Sequence, residues 1–389
     1  MKILWINPSF LDYRVPVYKK LNELTQNNFW IIFSKNRVPN RICNKIHNAI
    51  GDNAICFEGE KRIIIGEKEG MSNKWTSIPI THGLYKKIRR IKPDIIIAEG
   101  FFQWTPFAVR YTFFHHKPLL IAYERTAHTE RNCPKWRSSY RQVIDKFTNG
   151  YLCNGILTKE YLEKSLKVNP LKLFIGGMSA DSENLIKNIS TLTSEEKSRI
   201  KRKYTTSNNG LLYLFVGQII PRKGLRFLLE AWKKHIKIYA EDDLIIVGDG
   251  ECYQEYIQQY RQISSIHFTG NINYDSIYQF YAIADVFVIP TLEDNWSLVV
   301  PEAMACGLPI ACSIYNGCYP ELVHEKENGS LFDPLNENSI LKSLSIFHHV
   351  NLQMYRIKSQ EIESQFNSTN VAQNIFNACK AVINKTTQK

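Results

Sequence analysis

The sequence has no apolar run approaching the ~18 residues of a membrane-spanning helix, so any membrane contact is expected to be peripheral. It has no C-x-x-C pair and no Cys/His cluster at zinc spacing. Its nine cysteines, scattered from Cys43 to Cys379, read as reduced thiols of a cytosolic protein. No Asp-x-Asp triplet occurs, which removes a common way of holding a diphosphate through Mg²⁺ or Mn²⁺, and no metal or bound cofactor is expected. No G-x-G-x-x-G follows the first apolar segment, where Asn7-Pro8-Ser9-Phe10 stands instead; this weighs against a dinucleotide-dependent oxidoreductase. The opening KILWINPSF is broken by Asn7 and Pro8, short of the ~7–15 residues of a secretory h-region, and reads as a strand.

What is present is apolar material for large cores. With 44% hydrophobic and 22% charged residues over 389 positions, two domains are expected. A net charge of +12 favours anionic partners: nucleotide phosphates, anionic lipid or nucleic acid. No nucleic-acid-binding motif accompanies that charge, and no nucleic acid is expected.

Short apolar runs alternate with helical stretches. Strands are expected at Ile3–Ile6, Trp30–Phe33, Ile63–Ile65, Ile95–Ala98, Leu119–Tyr123 and Tyr151–Cys153, with helices at Val15–Leu24, Gly83–Ile91, Thr105–Phe114, Trp136–Phe147 and Lys159–Leu166. That rhythm predicts a parallel sheet covered on both faces. A polar stretch, Asn188–Asn209, reads as a linker plus a surface helix capped at Thr193-Ser194-Glu195-Glu196. The alternation then restarts with strands at Leu211–Val216, Leu244–Val247, Ile266–Phe268 and Val286–Ile289. The expected division is 1–187, 188–365 and a last helix, 366–389, crossing back to the first domain.

Two segments carry chemistry. In Asp294-Asn295-Trp296-Ser297-Leu298-Val299-Val300-Pro301-Glu302-Ala303-Met304-Ala305-Cys306-Gly307-Leu308-Pro309, Pro301 belongs in a first helical turn, so a helix starts near Leu298. Its positive end then lies at the carboxyl edge of a parallel sheet, suited to a diphosphate. Asp294 and Glu302 read either as acids of a solvated helix or as acceptors for the hydroxyls of a ligand held at that end. The second segment, Gly217-Gln218-Ile219-Ile220-Pro221-Arg222-Lys223-Gly224, places two cations between a strand and a helix. A third, Val247-Gly248-Asp249-Gly250-Glu251, is a tight strand-to-helix turn.

From Gly217 to Phe332 these segments, with Asn316-Gly317, Glu321 and Asn328-Gly329, resemble the family 4 (group 1) glycosyltransferases. Asp294 stands where that family most often has Glu, with Glu293 adjacent as an alternative for the role, and Ser297 stands where it usually has Gly. The resemblance implies an α/β fold of two Rossmann-like doubly wound domains facing across a cleft (GT-B), a retaining mechanism and a nucleotide-sugar donor, UDP- or GDP-linked. It implies donor contacts from Gly217, Arg222, Lys223, Asp294, Asn295, Trp296, Ser297, Leu298, Val299 and Glu302. Arg222 and Lys223 then stabilise the leaving diphosphate, Asp294 holds the sugar and Glu302 the ribose. The implied acceptor is a glycan, lipid-linked, in surface polysaccharide synthesis, and the implied location is cytoplasmic, peripheral at the inner face of the cell membrane.

The first half matches less densely. Tyr13 and Arg14 follow the first strand and read either as acceptor-side residues or as a helix cap with a surface arginine. Glu124 and His128, after Leu119–Tyr123, are candidates to touch the reacting sugar or acceptor. Lys86, Lys87, Arg89, Arg90 and Lys92 form a basic helix face, either solvated or meeting anionic lipid. Phe107, Tyr111 and Phe114 are expected in the core, whereas Phe101, Phe102 and Trp104 are less readily placed there. The rival readings are a nucleotide-sugar epimerase or hydrolase of similar shape and an NAD-dependent oxidoreductase.

Overall fold

The computed structural model describes residues 1–65, 76–207 and 209–387. The chain divides into two compact units, Met1–Asp181 with Ser368–Lys389, and Ser182–Asn367. In the first unit the strands run β1 (Ile3–Ile6), β2 (Phe29–Ser34), β3 (Ala54–Phe57), β4 (Glu60–Ile65), β5 (Thr76–Thr81), β6 (Ile95–Glu99), β7 (Leu119–Tyr123), β8 (Gly150–Cys153) and β9 (Leu173–Ile175). Seven of them form one parallel sheet in the order β3-β2-β1-β6-β7-β8-β9.

Alternate residues of each strand face opposite sides, and both sides are apolar. Ile3, Trp5, Ile31, Phe33, Ile95 and Ile97 enter one core, which the helix Arg14–Leu24 and the last helix, Ser368–Thr387, cover with Val17, Leu21, Val371, Ile375 and Val382. Leu4, Ile6, Ile32, Ile96, Ala98 and Ile121 enter the other, under the helices Leu84–Ile91 and Thr105–His115. A strand buried on both faces needs an unbroken apolar run, which is why Ile95-Ile96-Ile97 reads so clearly.

Several expectations need correction. The Ile63–Ile65 run lies not in the parallel sheet but in β4, which pairs antiparallel with β5 in a two-stranded sheet. The start of β4 is anchored elsewhere: the buried Glu60 carboxylate takes Arg37, Ser34 Oγ and Trp104 Nε1. Ile63 and Ile64 are left 51% and 60% exposed. Phe101 and Trp104 are fully buried, while Phe114, at 65% exposure, is not core. The stretch before Thr193 holds a helix, Ser182–Ser190, in the second unit. The Thr193 capping box forms, with Glu196 N–H donating to Thr193 Oγ1 at 3.1 Å and Thr193 N–H donating to Glu196 Oε2 at 2.8 Å.

The second unit holds β10 (Leu212–Val216), β11 (Asp243–Val247), β12 (Ile266–Gly270), β13 (Val286–Ile289), β14 (Ile310–Ser313) and β15 (Gly329–Phe332). Its parallel sheet runs β12-β11-β10-β13-β14-β15, the Rossmann order. In each sheet the chain builds outward from its first strand on one side, then returns to build on the other. The switch point lies between β1 and β6 in the first unit and between β10 and β13 in the second. Ligands of doubly wound sheets bind at the carboxyl end of such a switch.

Candidate functional site

At the β10/β13 switch the two segments singled out in the sequence meet. After β10 the chain reaches a short 3-10 turn, Pro221–Lys223, and Gly224 at φ +67° starts the helix Leu225–His235. A Cβ on Gly224 would lie 2.0 Å from the Pro290 carbonyl oxygen, so only glycine lets this turn touch the chain leaving β13. Leu292 N–H then donates to the Arg222 carbonyl at 2.8 Å. The contact carries Lys223 Nζ to 2.5 Å from Asp294 Oδ2, and Arg222 Nη1 to 3.3 Å from the Glu293 carbonyl. Of the two adjacent acids, the Asp294 carboxylate is the one that pairs with Lys223.

Asp294 is held from three directions. Oδ2 also accepts from Ser297 Oγ at 2.7 Å, and Oδ1 accepts from Trp296 N–H at 3.2 Å. Burial works to raise its pKa, but Lys223, the Ser297 hydroxyl and Arg222 outweigh it and hold the carboxyl below its usual value. A carboxylate offers about four lone-pair sites, so one remains for a ligand hydroxyl. Behind the loop, Gly317 N–H donates to the Asp294 carbonyl at 3.0 Å, and Asn316 Oδ1 accepts from Ser297 N–H at 3.3 Å.

Asn295, Trp296 and Ser297 are buried, while Leu298 and Val299 are half-buried at the start of the helix Val299–Ala305, about two turns long. Glu302, on that helix, is 5% exposed and accepts from Tyr281 at 2.9 Å and Tyr274 at 3.2 Å. Burial, reinforced by Glu302, pushes the Tyr281 hydroxyl well above its ordinary pKa, so it stays a proton donor. Sequence reasoning missed both tyrosines, because nothing in their spacing ties them to Glu302. Gly217 packs where the Gly248 turn crosses it: a Cβ on Gly248 would lie 1.9 Å from the Gly217 carbonyl oxygen.

The β1/β6 switch of the first unit holds a cavity of about 330 Å³, lined by residues following β1, β6 and β7 and by the helix Lys135–Asp145. Tyr13, Arg14 and Glu124 line it; His128, half-buried four residues beyond Glu124, is not among the described lining residues. Arg14 is no surface arginine. It is 5% exposed, donates from Nη1 to the Gly177 carbonyl at 2.8 Å, lies 3.8 Å from Glu99 Oε1 and stacks 5.4 Å from the Trp5 ring centre. Asn7 Nδ2 donates to Glu99 Oε1 and to the Tyr18 hydroxyl, both at 2.9 Å. Burial is the main cause lifting Glu99 to about 7, with Arg14 opposing and Glu124 adding.

Arg125, Arg137 and Arg141 complete the walls. Glu130, 4% exposed, takes Arg141 Nη1 at 2.7 Å and Arg125 Nη1 at 3.0 Å. The sequence did carry a signal here: Arg137 and Arg141 stand four apart on one helix, and Glu99 ends an otherwise apolar strand.

Among the described residues, His235, Asp242 and His348 bring three possible metal-ligand atoms within 4.8 Å. Both imidazole Nε2 atoms lie 2.8 Å from the same Asp242 Oδ2, which is hydrogen-bond geometry. Asp242 precedes β11, at the edge of the sheet opposite Asp294, and so serves as a clasp.

Residues 195–349 match the family model of the glycosyl transferases, group 1. An uncharacterized glycosyltransferase of Methanocaldococcus jannaschii is 31% identical over 157 residues, 38% of this chain and 38% of that protein. The UDP-Gal:alpha-D-GlcNAc-diphosphoundecaprenol alpha-1,3-galactosyltransferase of Escherichia coli is 27% identical over 208 residues, 51% of each chain. The chain thus spans about half or less of these relatives' lengths. Among solved structures, Anabaena HepE in complex with UDP superposes with a TM-score of 0.74 at 16% identity, covering 98% of this chain and 100% of that one.

Proposed function

We propose that this chain, whose residues 195–349 match the family model of the glycosyl transferases, group 1, transfers a hexose or N-acetylhexosamine from a UDP- or GDP-sugar to a glycan acceptor, with retention. The observation that carries the reading is the Lys223–Asp294 pair at the β10/β13 switch, with Arg222 beside it. Lys223 has three donors and can keep one on Asp294 while turning another toward a diphosphate. Negative charge builds on that diphosphate as the glycosidic bond breaks, and fixed cations lower the barrier by meeting it. Asp294, kept ionised, has one acceptor site for a sugar hydroxyl. With no carboxylate nucleophile assigned, the leaving phosphate oxygen takes the proton of the incoming hydroxyl on the same face.

Because Arg222 and Lys223 supply the positive charge, transfer is expected to persist in excess EDTA. The acceptor is read as lipid-linked, in line with the diphosphoundecaprenol acceptor named for the Escherichia coli relative. No helix among the described residues is long and apolar enough to cross a membrane, and the exposed Lys86, Arg89, Arg90 and Lys92 are proposed to meet anionic headgroups.

The test is thermal stabilisation by a panel of UDP- and GDP-sugars. A ligand at 100 times its Kd adds about 2.7 kcal/mol to the folded state. One donor is expected to stabilise the wild type and not Lys223→Ala. Equal stabilisation of both proteins, or stabilisation by NAD(P)H instead, would sink the reading.

A further inference from the structure

The cavity of the first unit carries more cations than carboxylates. Four guanidinium groups, from Arg14, Arg125, Arg137 and Arg141, line it, against Glu99 and Glu124 in its wall and Glu130 behind Arg125 and Arg141. Arg14 and Arg141 are 5% and 2% exposed, and the Nε of each is buried with no hydrogen-bond partner among the described residues. Buried guanidinium groups lose hydration that only an anion or a set of acceptors replaces.

Aromatic rings supply the rest of the support. Arg137 lies 4.9 Å from the Phe102 ring centre, and Arg141 lies 5.9 Å from that of Phe101 and 5.8 Å from that of Phe102. Stacking engages the flat faces of the guanidinium groups, and an oxyanion approaches such a group in its plane, where the fork grips it with two parallel bonds. The half-buried Phe102, part of the same wall, suits the apolar face of a pyranose. A volume of about 330 Å³ is at the small end of ligand pockets and fits one monosaccharide unit.

We infer that this cavity seats an acidic sugar unit, a pyranose bearing a carboxylate or a phosphate, as the acceptor of the transfer. The acceptor role rests on the function proposed above; the binding chemistry does not.

Calorimetric titration of the full chain with glucuronate, glucose 6-phosphate and glucose tests the inference, using wild type, Arg137→Gln and Lys223→Ala. Either or both acidic sugars are expected to bind wild type and Lys223→Ala equally, at least tenfold more weakly to Arg137→Gln, and to weaken with added salt, while glucose gives no heat at the same concentration. Which of the two binds better identifies the oxyanion. If glucose binds as well as they do, if neither acidic sugar binds the wild type, or if Lys223→Ala loses the binding that Arg137→Gln keeps, the inference is overturned. Should Arg137→Gln not fold, the glucose comparison and the Lys223→Ala comparison still decide. Acidic-sugar binding in a protein that no nucleotide sugar stabilises would leave the cavity assignment standing and remove the transferase reading.

Discussion

Asp294 stays charged although it is largely buried, because Lys223, the Ser297 hydroxyl and Arg222 outweigh its desolvation. Its folded pKa lies below its unfolded value, so the stabilisation is present above the unfolded pKa and is lost as pH falls through the folded one. Asp294→Asn is therefore expected to cost about 3 kcal/mol, the range for breaking a buried ion pair. In chemical denaturation the gap between variant and wild type should stay constant from pH 5 to 8 and close below about pH 4. Ser297→Ala removes one donor and should cost about 1 kcal/mol, seen as a melting shift of about 2–4 °C. Glu99 has the opposite sign. Its pKa is raised to about 7, so ionising it costs stability, and stability falls as pH rises from the unfolded value toward 7. The charged groups acting on it are Arg14, which opposes the rise, and Glu124, which adds to it. Glucuronate should accordingly bind more tightly at pH 6 than at pH 8, and Glu99→Gln should flatten that profile; an unchanged profile would remove Glu99 from the site.

Elements were legible where burial wrote them twice. β1, β6, β7, β10, β11 and β13 are buried on both faces, so each appears in the sequence as a short unbroken apolar run. The helix Asn40–Ile50 and β3 were not foreseen; Ile42, Ile46 and Ile50 face the core among polar residues, and β3 is a four-residue edge strand. β4 was misplaced because a run of isoleucines looks the same in a covered sheet and in an exposed hairpin. The Arg222, Lys223 and Asp294 loops were legible through a family pattern. The first-unit cavity was legible only in part: Tyr13, Arg14 and Glu124 stood out, but Arg125, Arg137 and Arg141 did not, because the cavity is assembled from single residues on separate elements. Where two loops must touch, a methyl group is decisive: a Cβ on Gly317 would lie 1.9 Å from the Asn295 carbonyl oxygen. Gly317→Ala should abolish nucleotide-sugar stabilisation, as read by thermal shift, even where the protein still folds.

At the scale of the molecule, the first unit is discontinuous in sequence and the second is not. Val371, Ile375 and Val382 of the last helix are at most 2% exposed and belong to the core around Trp5 and Tyr18. Burying three such side chains contributes roughly 5–9 kcal/mol, comparable to the net stability of a domain. Removing residues 368–389 is expected to leave the second unit resistant to proteolysis and the first cleaved rapidly; equal resistance of both would show that the helix is dispensable.

The same division sets an order of events during synthesis. The second unit is a continuous stretch and has all its residues once Asn367 has left the ribosome, whereas the first must wait for the final helix. The 186 residues of Ser182–Asn367 separate its two pieces, and at about 5–20 residues per second the wait is on the order of 10–40 s. Through that interval the face of the β1 sheet that the helix Arg14–Leu24 covers still lacks the last helix, so this core of the N-terminal half stays partly open to solvent until synthesis of the final helix ends.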